Sequence, residues 1–273
     1  MLIQPTREEL ISLTFLNPFD RFPDGRPRVP DELLDRLLGA TTEQAWKVMD
    51  TKGYRIQFAG GWRETHPGRI TVGRALTAQF LPFRPDFHDA VQSAGIAEGR
   101  GSSGGQNSWV IESLQHRDVM VVDIFGKVKD GTVIGDNLGT AVQVRTRAGA
   151  VIDGGIRDYQ GLQRLDEVNF FFRDMDPTAI ADVTLAGINI PVRIGGVTVM
   201  PGDVVLGTPT GVIFIPPQLA ELVATSAEDT QLRDEFGKLR LAEGVYASGE
   251  IDVQVWRDDI ETDFAQWKDV RAR

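Results

Sequence analysis

From residue 70 onward, short apolar runs rich in β-branched residues recur along the chain, at 70–80, 119–125, 150–152, 204–206 and 212–215. Each is bounded by Gly, Pro or Asp, which predicts strands rather than buried helical segments. Between them, residues 86–98, 137–147, 217–225 and 229–243 carry apolar positions at helical spacing, and 260–270 predicts a terminal amphipathic helix. Such a mixture predicts an α/β domain rich in strands and framed by helices. The first 45 residues differ in texture. Residues 17–27 hold too much Pro, Gly and Asp for a helix interior. A short helix follows, with Pro30 near its first turn and Leu33, Leu34, Leu37 and Leu38 on one face. Thr41-Thr42-Glu43-Gln44 is a capping-type start for another helix, running through Met49.

Composition narrows the function classes. The 273 residues are 41% hydrophobic, enough for a sizeable core, yet no run approaches the length of a membrane-spanning helix. The start, Met1 to Pro5, has no basic residue ahead of an apolar run and does not read as a signal peptide. The absence of cysteine excludes disulfides, thiolate zinc sites and a thiol nucleophile, and fits a cytoplasmic protein. A net charge of −10 repels phosphate backbones and anionic membranes, so neither nucleic acid nor membrane is expected as a partner. A small acid could enter only beside a local cation, either an arginine or a metal ion.

Several patterns match a motif without its context. Residues 99–104, Gly-Arg-Gly-Ser-Ser-Gly, satisfy a dinucleotide fingerprint, and Ser103 sits in a nucleophile-elbow pattern. Both need a hydrophobic strand before them, whereas residues 94–98 read as the end of a helix. A flexible loop is the simpler reading. His66, His88 and His116 show no metal-ligand spacing and read as surface or packing residues.

Residues 135–158 are different. Asp136 follows Gly135 and opens a helix, a place that favours anions. Gly149 stops the helix, residues 150–152 form a strand, and Gly154-Gly155 is expected to turn sharply and set Arg157 and Asp158 beyond the strand end. Ligands of open α/β sheets commonly bind there. Carboxylates are hard ligands suited to Mg²⁺ or Mn²⁺, and an arginine can clamp a substrate carboxylate. As structure alone, Asp136 would be an N-cap worth about 1 kcal/mol, and Arg157–Asp158 a surface ion pair worth about that or less.

This block resembles the RraA-like family, which includes 4-hydroxy-4-methyl-2-oxoglutarate aldolase and the regulator of RNase E activity A. The family is marked by an aspartate about twenty residues before an Arg-Asp pair, the interval between Asp136 and Arg157-Asp158. Residues 118–123, 151–158, 196–206 and 211–216 resemble its neighbouring segments, and the likeness runs from about residue 40 to 245.

The resemblance implies a swivelling β/β/α sandwich domain at 46–245, with an N-terminal extension at 1–45 and a C-terminal helical tail at 246–273. It implies a homotrimer or a dimer of trimers. It further implies a divalent-metal-dependent lyase that cleaves or decarboxylates a small 2-oxo acid through a metal-stabilised pyruvate enolate. Asp158 would hold Mg²⁺ or Mn²⁺, with Asp136 bonded to the metal's waters. Arg157 would hold the substrate carboxylate, and the backbone around Gly135, Asn137 and Leu138 would contact the pyruvyl end. Family enzymes also use a glutamate from a neighbouring subunit's C-terminal helix; Glu235 corresponds by position, with Glu243 close to it.

There are departures from the family pattern. Gly207-Thr208-Pro209-Thr210 stands where an Asp-rich turn is common, and the Gly-Ser loop with Gln106, Asn107 and Trp109 looks longer than in a minimal member. Those polar groups and the indole would suit a polyhydroxylated substrate, or Trp109 would be core. The rival class is a non-catalytic, protein-binding regulator of the ribonuclease-inhibitor type, which needs a surface patch and no metal. A methyltransferase reading lacks a strand-linked glycine loop for its nucleoside cofactor.

Overall fold

The computed structural model describes residues 3–101 and 105–271, so Ser103 and the second half of the Gly-Ser motif lie outside the described residues. In chain order the helices are α1 (Arg7–Leu13), α2 (Asp31–Leu37), α3 (Thr42–Thr51), α4 (Pro85–Ala97), α5 (Gln106–Glu112), α6 (Asp136–Thr146), α7 (Tyr159–Leu162), α8 (Pro217–Ala242), α9 (Ser248–Ile251) and α10 (Asp258–Arg271). The strands are β1 (Phe58–Ala59), β2 (Arg63–Glu64), β3 (Thr71–Pro82), β4 (Asp118–Asp123), β5 (Gly149–Ile156) and β6 (Asn169–Met175). They continue with β7 (Val183–Ile188), β8 (Val192–Ile194), β9 (Val197–Val199), β10 (Val204–Thr208) and β11 (Gly211–Ile215). The chain forms two compact units, residues 1–224 and 225–273.

The first unit is built on one mixed sheet in the order β1-β11-β10-β3-β4-β5-β6-β2. Its centre, β3-β4-β5-β6, is parallel, and the flanking strands are antiparallel. The long β3 pairs with β10 along its first half and with β7 along its second, with a register shift at Gln79/Phe80 inside the β7 pairing. Side chains alternate faces along a strand. Met120, Val122, Ile152, Phe170 and Phe172 therefore share one core with Val91, Trp109, Val142 and Leu162 of the helices α4 to α7. Val119, Val121, Val151 and Phe171 share the other with the β8–β9 hairpin and with Val205 and Phe214. Burial on both faces explains why these strands read as continuous apolar runs.

Three local expectations change. Gly154-Gly155 lies inside β5, at a register shift between Ile152 and Gly155, and is no turn. A Cβ on Gly154 would sit 2.8 Å from the Lys127 carbonyl oxygen, and one on Gly155 would sit 2.7 Å from that of Val128. The glycines let the 124–131 loop lie directly on the strand. Gln106, Asn107 and Trp109 open the buried helix α5 instead of extending a polar loop. Trp109 is core, packed against Gly95, where no side chain larger than hydrogen fits. The strands β6 to β9 and the helix α1 were not expected from the pattern.

The N-terminal segment is pinned to the sheet by a fully buried ion pair. The Arg26 guanidinium donates to both carboxylate oxygens of Asp118, at 2.8 and 2.7 Å, and lies 4.5 Å from the centre of the Phe22 ring. Asp118 also accepts the Gln115 N–H at 2.8 Å. Asp203, in the turn between β9 and β10, is buried; among the described residues its carboxylate accepts only the Met200 N–H, and burial pushes its carboxyl up to about 7. The second unit packs Phe236, Trp256, Ile260 and Phe264 together, with Arg233 between the Trp256 ring and Glu261. No helix among the described residues is long and apolar enough to cross a membrane.

Two outcomes follow from these buried charges. Arg26→Ala should lower unfolding free energy by about 3–5 kcal/mol in denaturant titration, because Asp118 then loses its buried partner. The Asp203 carboxyl binds its proton more tightly folded than unfolded. The stability this confers is fully present below about pH 4 and is lost as pH rises through about 7. Asp203→Asn should therefore match the parent below about pH 4 and be more stable at pH 8, by up to about 4 kcal/mol, read from paired melts.

Candidate active site

The site begins with a strap of chain beside the carboxyl end of β5. Thr132 bridges Gly155 in parallel, the Val133 N–H donates to the Gly155 carbonyl at 3.1 Å, and the Arg157 N–H donates to the Ile134 carbonyl at 3.0 Å. These bonds carry the pairing past the end of β5 and bring Gly135 against Arg157 and Asp158. A Cβ on Gly135 would collide with Asp158 Oδ2 and lie 3.2 Å from both Cγ and Nε of Arg157. Gly135 has φ −122 and ψ −167, extended backbone open to any residue. It is a glycine for space, not for conformation.

Beyond Gly135 the helix α6 starts at Asp136, as the sequence predicted, and the Gly139 N–H closes its first bond on the Gly135 carbonyl at 2.8 Å. Asp136 is exposed, and its Oδ1 accepts its neighbour's N–H, from Asn137, at 2.8 Å. The side chain thus lies over the positive end of the helix. Asn137 and Leu138 supply the next first-turn amides. On the other side, Asp158 adopts the left-handed conformation, φ 53 and ψ 39, and caps the single turn α7 through its carbonyl, which accepts the Gly161 N–H at 2.8 Å. A non-glycine residue there costs about 1 kcal/mol or more. Gly161 in turn makes room for Asp136, since a Cβ on it would lie 2.6 Å from that of Asp136 and 3.0 Å from its Oδ2. Two glycines, one from each segment, make room for the two carboxylates, Gly135 for Asp158 and Gly161 for Asp136.

Arg157 and Asp158 are half exposed and form a 3.5 Å ion pair, Nε to Oδ2. In water such a pair contributes about 1 kcal/mol or less, so fold stability does not explain its presence. Gly135, Asp136, Asn137, Leu138, Arg157 and Asp158 are thereby gathered in one place. Glu235 belongs to the second unit, where it pairs with Arg271, and Glu243 pairs there with Arg240. Among the described residues no three His, Cys, Asp or Glu side chains gather as a metal cage. His66 and His88 are bonded within the fold, to Thr65 and Thr184. The sequence pattern missed the strap at 132–134, whose only signal is a β-branched Thr-Val-Ile just ahead of Gly135.

The sequence model of the RraA-like family, described as Aldolase/RraA, matches residues 31–214. A Halalkalibacterium halodurans protein named "Putative 4-hydroxy-4-methyl-2-oxoglutarate aldolase" is 30% identical over 146 residues, covering 52% of this chain and 69% of that protein. Protein DlpA of Legionella pneumophila is 25% identical over 215 residues, 78% of this chain and 32% of DlpA. Among solved structures, Streptomyces coelicolor RraAS2, described as an unusual member of the RNase ES inhibitor RraA protein family, aligns with a TM-score of 0.66 and 26% identity. That alignment covers 82% of this chain and all of RraAS2. Such names span aldolase-type and ribonuclease-inhibitor-type members. With its central sheet, flanking helices and matched segment, this chain belongs to the RraA-like family.

Proposed function

We propose that this protein is a divalent-metal-dependent carbon–carbon lyase acting on a small 2-oxo acid. The observation that carries the proposal is the close approach of Gly135 to Arg157 and Asp158, with Asp136 opening the adjoining helix against Gly161, in a chain whose overall charge would otherwise turn an anion away.

The donor set fits Mg²⁺ or Mn²⁺. Mg²⁺ is commonly held by one or two carboxylates and keeps several waters, so Asp158 and Asp136 suffice where a closed zinc cage would need more protein ligands. The hollow that a Gly135 side chain would fill lies at the Asp158 carboxylate itself. When bound, such an ion supplies Lewis-acid polarisation of the substrate's keto oxygen. The chain's own groups do the rest. Arg157 neutralises and orients the substrate carboxylate, its guanidinium half exposed and paired, among the described residues, with Asp158 alone. The first-turn amide of α6 at Leu138 faces the charge that develops as the carbon–carbon bond breaks, while that of Asn137 holds the Asp136 carboxylate at the helix end. Asp136, over the same helix end, orients water for return of a proton to the departing carbanion. Glu235 is the glutamate proposed to complete the site from another copy of the chain, in a trimer or dimer of trimers.

A protein-binding regulator of the ribonuclease-inhibitor type is the second reading, favoured by the likeness to RraAS2. It leaves the convergence of two carboxylates and an arginine without a task.

Chelator-stripped protein given oxaloacetate should release pyruvate only after Mg²⁺ or Mn²⁺ is restored, and Asp158→Ala should remove that turnover. Failure of either ion to support turnover of oxaloacetate or of larger 2-oxo acids by the folded protein would bring the regulator reading forward. Gly135→Ala should fold with stability within about 1 kcal/mol of the parent, since its backbone suits alanine. The displaced Asp158 carboxylate should lower kcat/KM about a hundredfold. Steady-state kinetics beside a thermal melt would separate the two effects.

A further inference from the structure

A cavity of 310 Å³, apart from the candidate active site, opens between residues 13–17 and the β9–β10 region. Its apolar wall is Leu13, Phe15, Leu16, Met200, Pro216 and Pro217. Phe15 is 74% exposed and Leu16 52% exposed, so two large apolar side chains stand in water at its edge. None of the site residues of the proposed lyase lines it.

Asp203 also lines this cavity, although only 2% of its surface is exposed. One carboxylate oxygen accepts the Met200 N–H at 2.8 Å, which is the ordinary bond of a turn. The other has no hydrogen-bond partner among the described residues. That oxygen is not among the fully buried unpartnered atoms, so it is open to the cavity, where a charged donor would complete its bonding. No Lys, Arg or His is among the described residues of the lining.

Several of the other polar groups already use a donor within the fold. Gln57 Nε2 donates to the Phe214 carbonyl, Asn17 Nδ2 to that of Phe19, and Gln218 Nε2 to the Tyr54 hydroxyl oxygen. The Thr14 hydroxyl donates to the Leu10 carbonyl. Beside the neutral Tyr54 and Thr198 hydroxyls, the one charged group the described lining offers is the Asp203 carboxylate, with Gln57 Oε1 as a further acceptor, set in an apolar wall. A complementary ligand has a donor-rich cationic head and an apolar body. The net charge of −10 draws the same kind of molecule.

We propose that this cavity binds a small amphipathic amine, its ammonium against Asp203 and its hydrocarbon body against Leu13, Met200 and Pro217. The ammonium gives the second carboxylate oxygen the charged donor that the fold withholds. The segment contributing Leu13 to Asn17 lies outside the family-matched residues, whereas Asp203 and Met200 lie within them.

Calorimetric titration of the full chain with n-hexylamine, 1-hexanol and hexanoate tests this. Hexylamine should bind at least tenfold more tightly than hexanol, and hexanoate should give no heat of binding. Asp203→Asn keeps an oxygen for the Met200 N–H and should bring hexylamine down to the level of hexanol. Thr198→Trp, placed on an exposed lining residue, should block all binding and serves as the control if Asp203→Asn fails to fold. Equal affinity for amine and alcohol, hexylamine binding unchanged in either folded variant, or no binding of hexylamine at millimolar concentration would overturn the proposal.

Discussion

The candidate site depends on one close approach, that of the Gly135 backbone to the Asp158 carboxylate. The strap at 132–134 extends the parallel pairing beyond β5, and its two hydrogen bonds to Gly155 and Arg157 set the spacing. A side chain at 135 would force those bonds or the Asp158 carboxylate to yield. Because it is absent, the start of α6 and the turn after β5 share one volume. The second glycine, Gly161, does the same from the opposite side for Asp136. The geometry is therefore steric first and electrostatic second.

That ordering bears on a chain with an excess of ten negative charges. Two carboxylates brought together on such a surface repel one another unless a cation lies between them or beside them. Arg157 supplies one positive charge, half exposed and only 3.5 Å from Asp158. A divalent ion would supply the rest, and would turn an arrangement that costs free energy in the fold into a binding site for a small acid.

Much of this was legible in the sequence. The strands that proved central, β3, β4, β5, β10 and β11, have β-branched runs buried on both faces, and the start of α6 at Asp136 follows from a glycine ahead of a helical period. The fold class was legible from the alternation and from the family-like block. The pattern failed where neighbours decide. Phe170, Phe171 and Phe172 form a strand buried on both faces, but Asn169 and Arg173-Asp174 at its ends read as loop. Gly154-Gly155 looked like a turn, and only the loop lying on β5 explains the missing side chains. Trp109 sits at the edge of a polar, glycine-rich stretch, and its burial depends on Gly95, fourteen residues earlier and on another helix. The pairing of Arg26 with Asp118 spans 92 residues and has no local signature.

The most direct test of the central claim is exchange of the methyl hydrogens of pyruvate for deuterium, followed by proton NMR in D₂O with chelator-stripped protein. It reads carbanion formation beside the keto group and does not require the natural substrate. Loss of the methyl signal that needs added Mg²⁺ or Mn²⁺, and that Asp158→Ala abolishes, is the predicted result. Exchange indifferent to metal and to Asp158, or none above the uncatalysed rate in the folded protein with either ion, would contradict it.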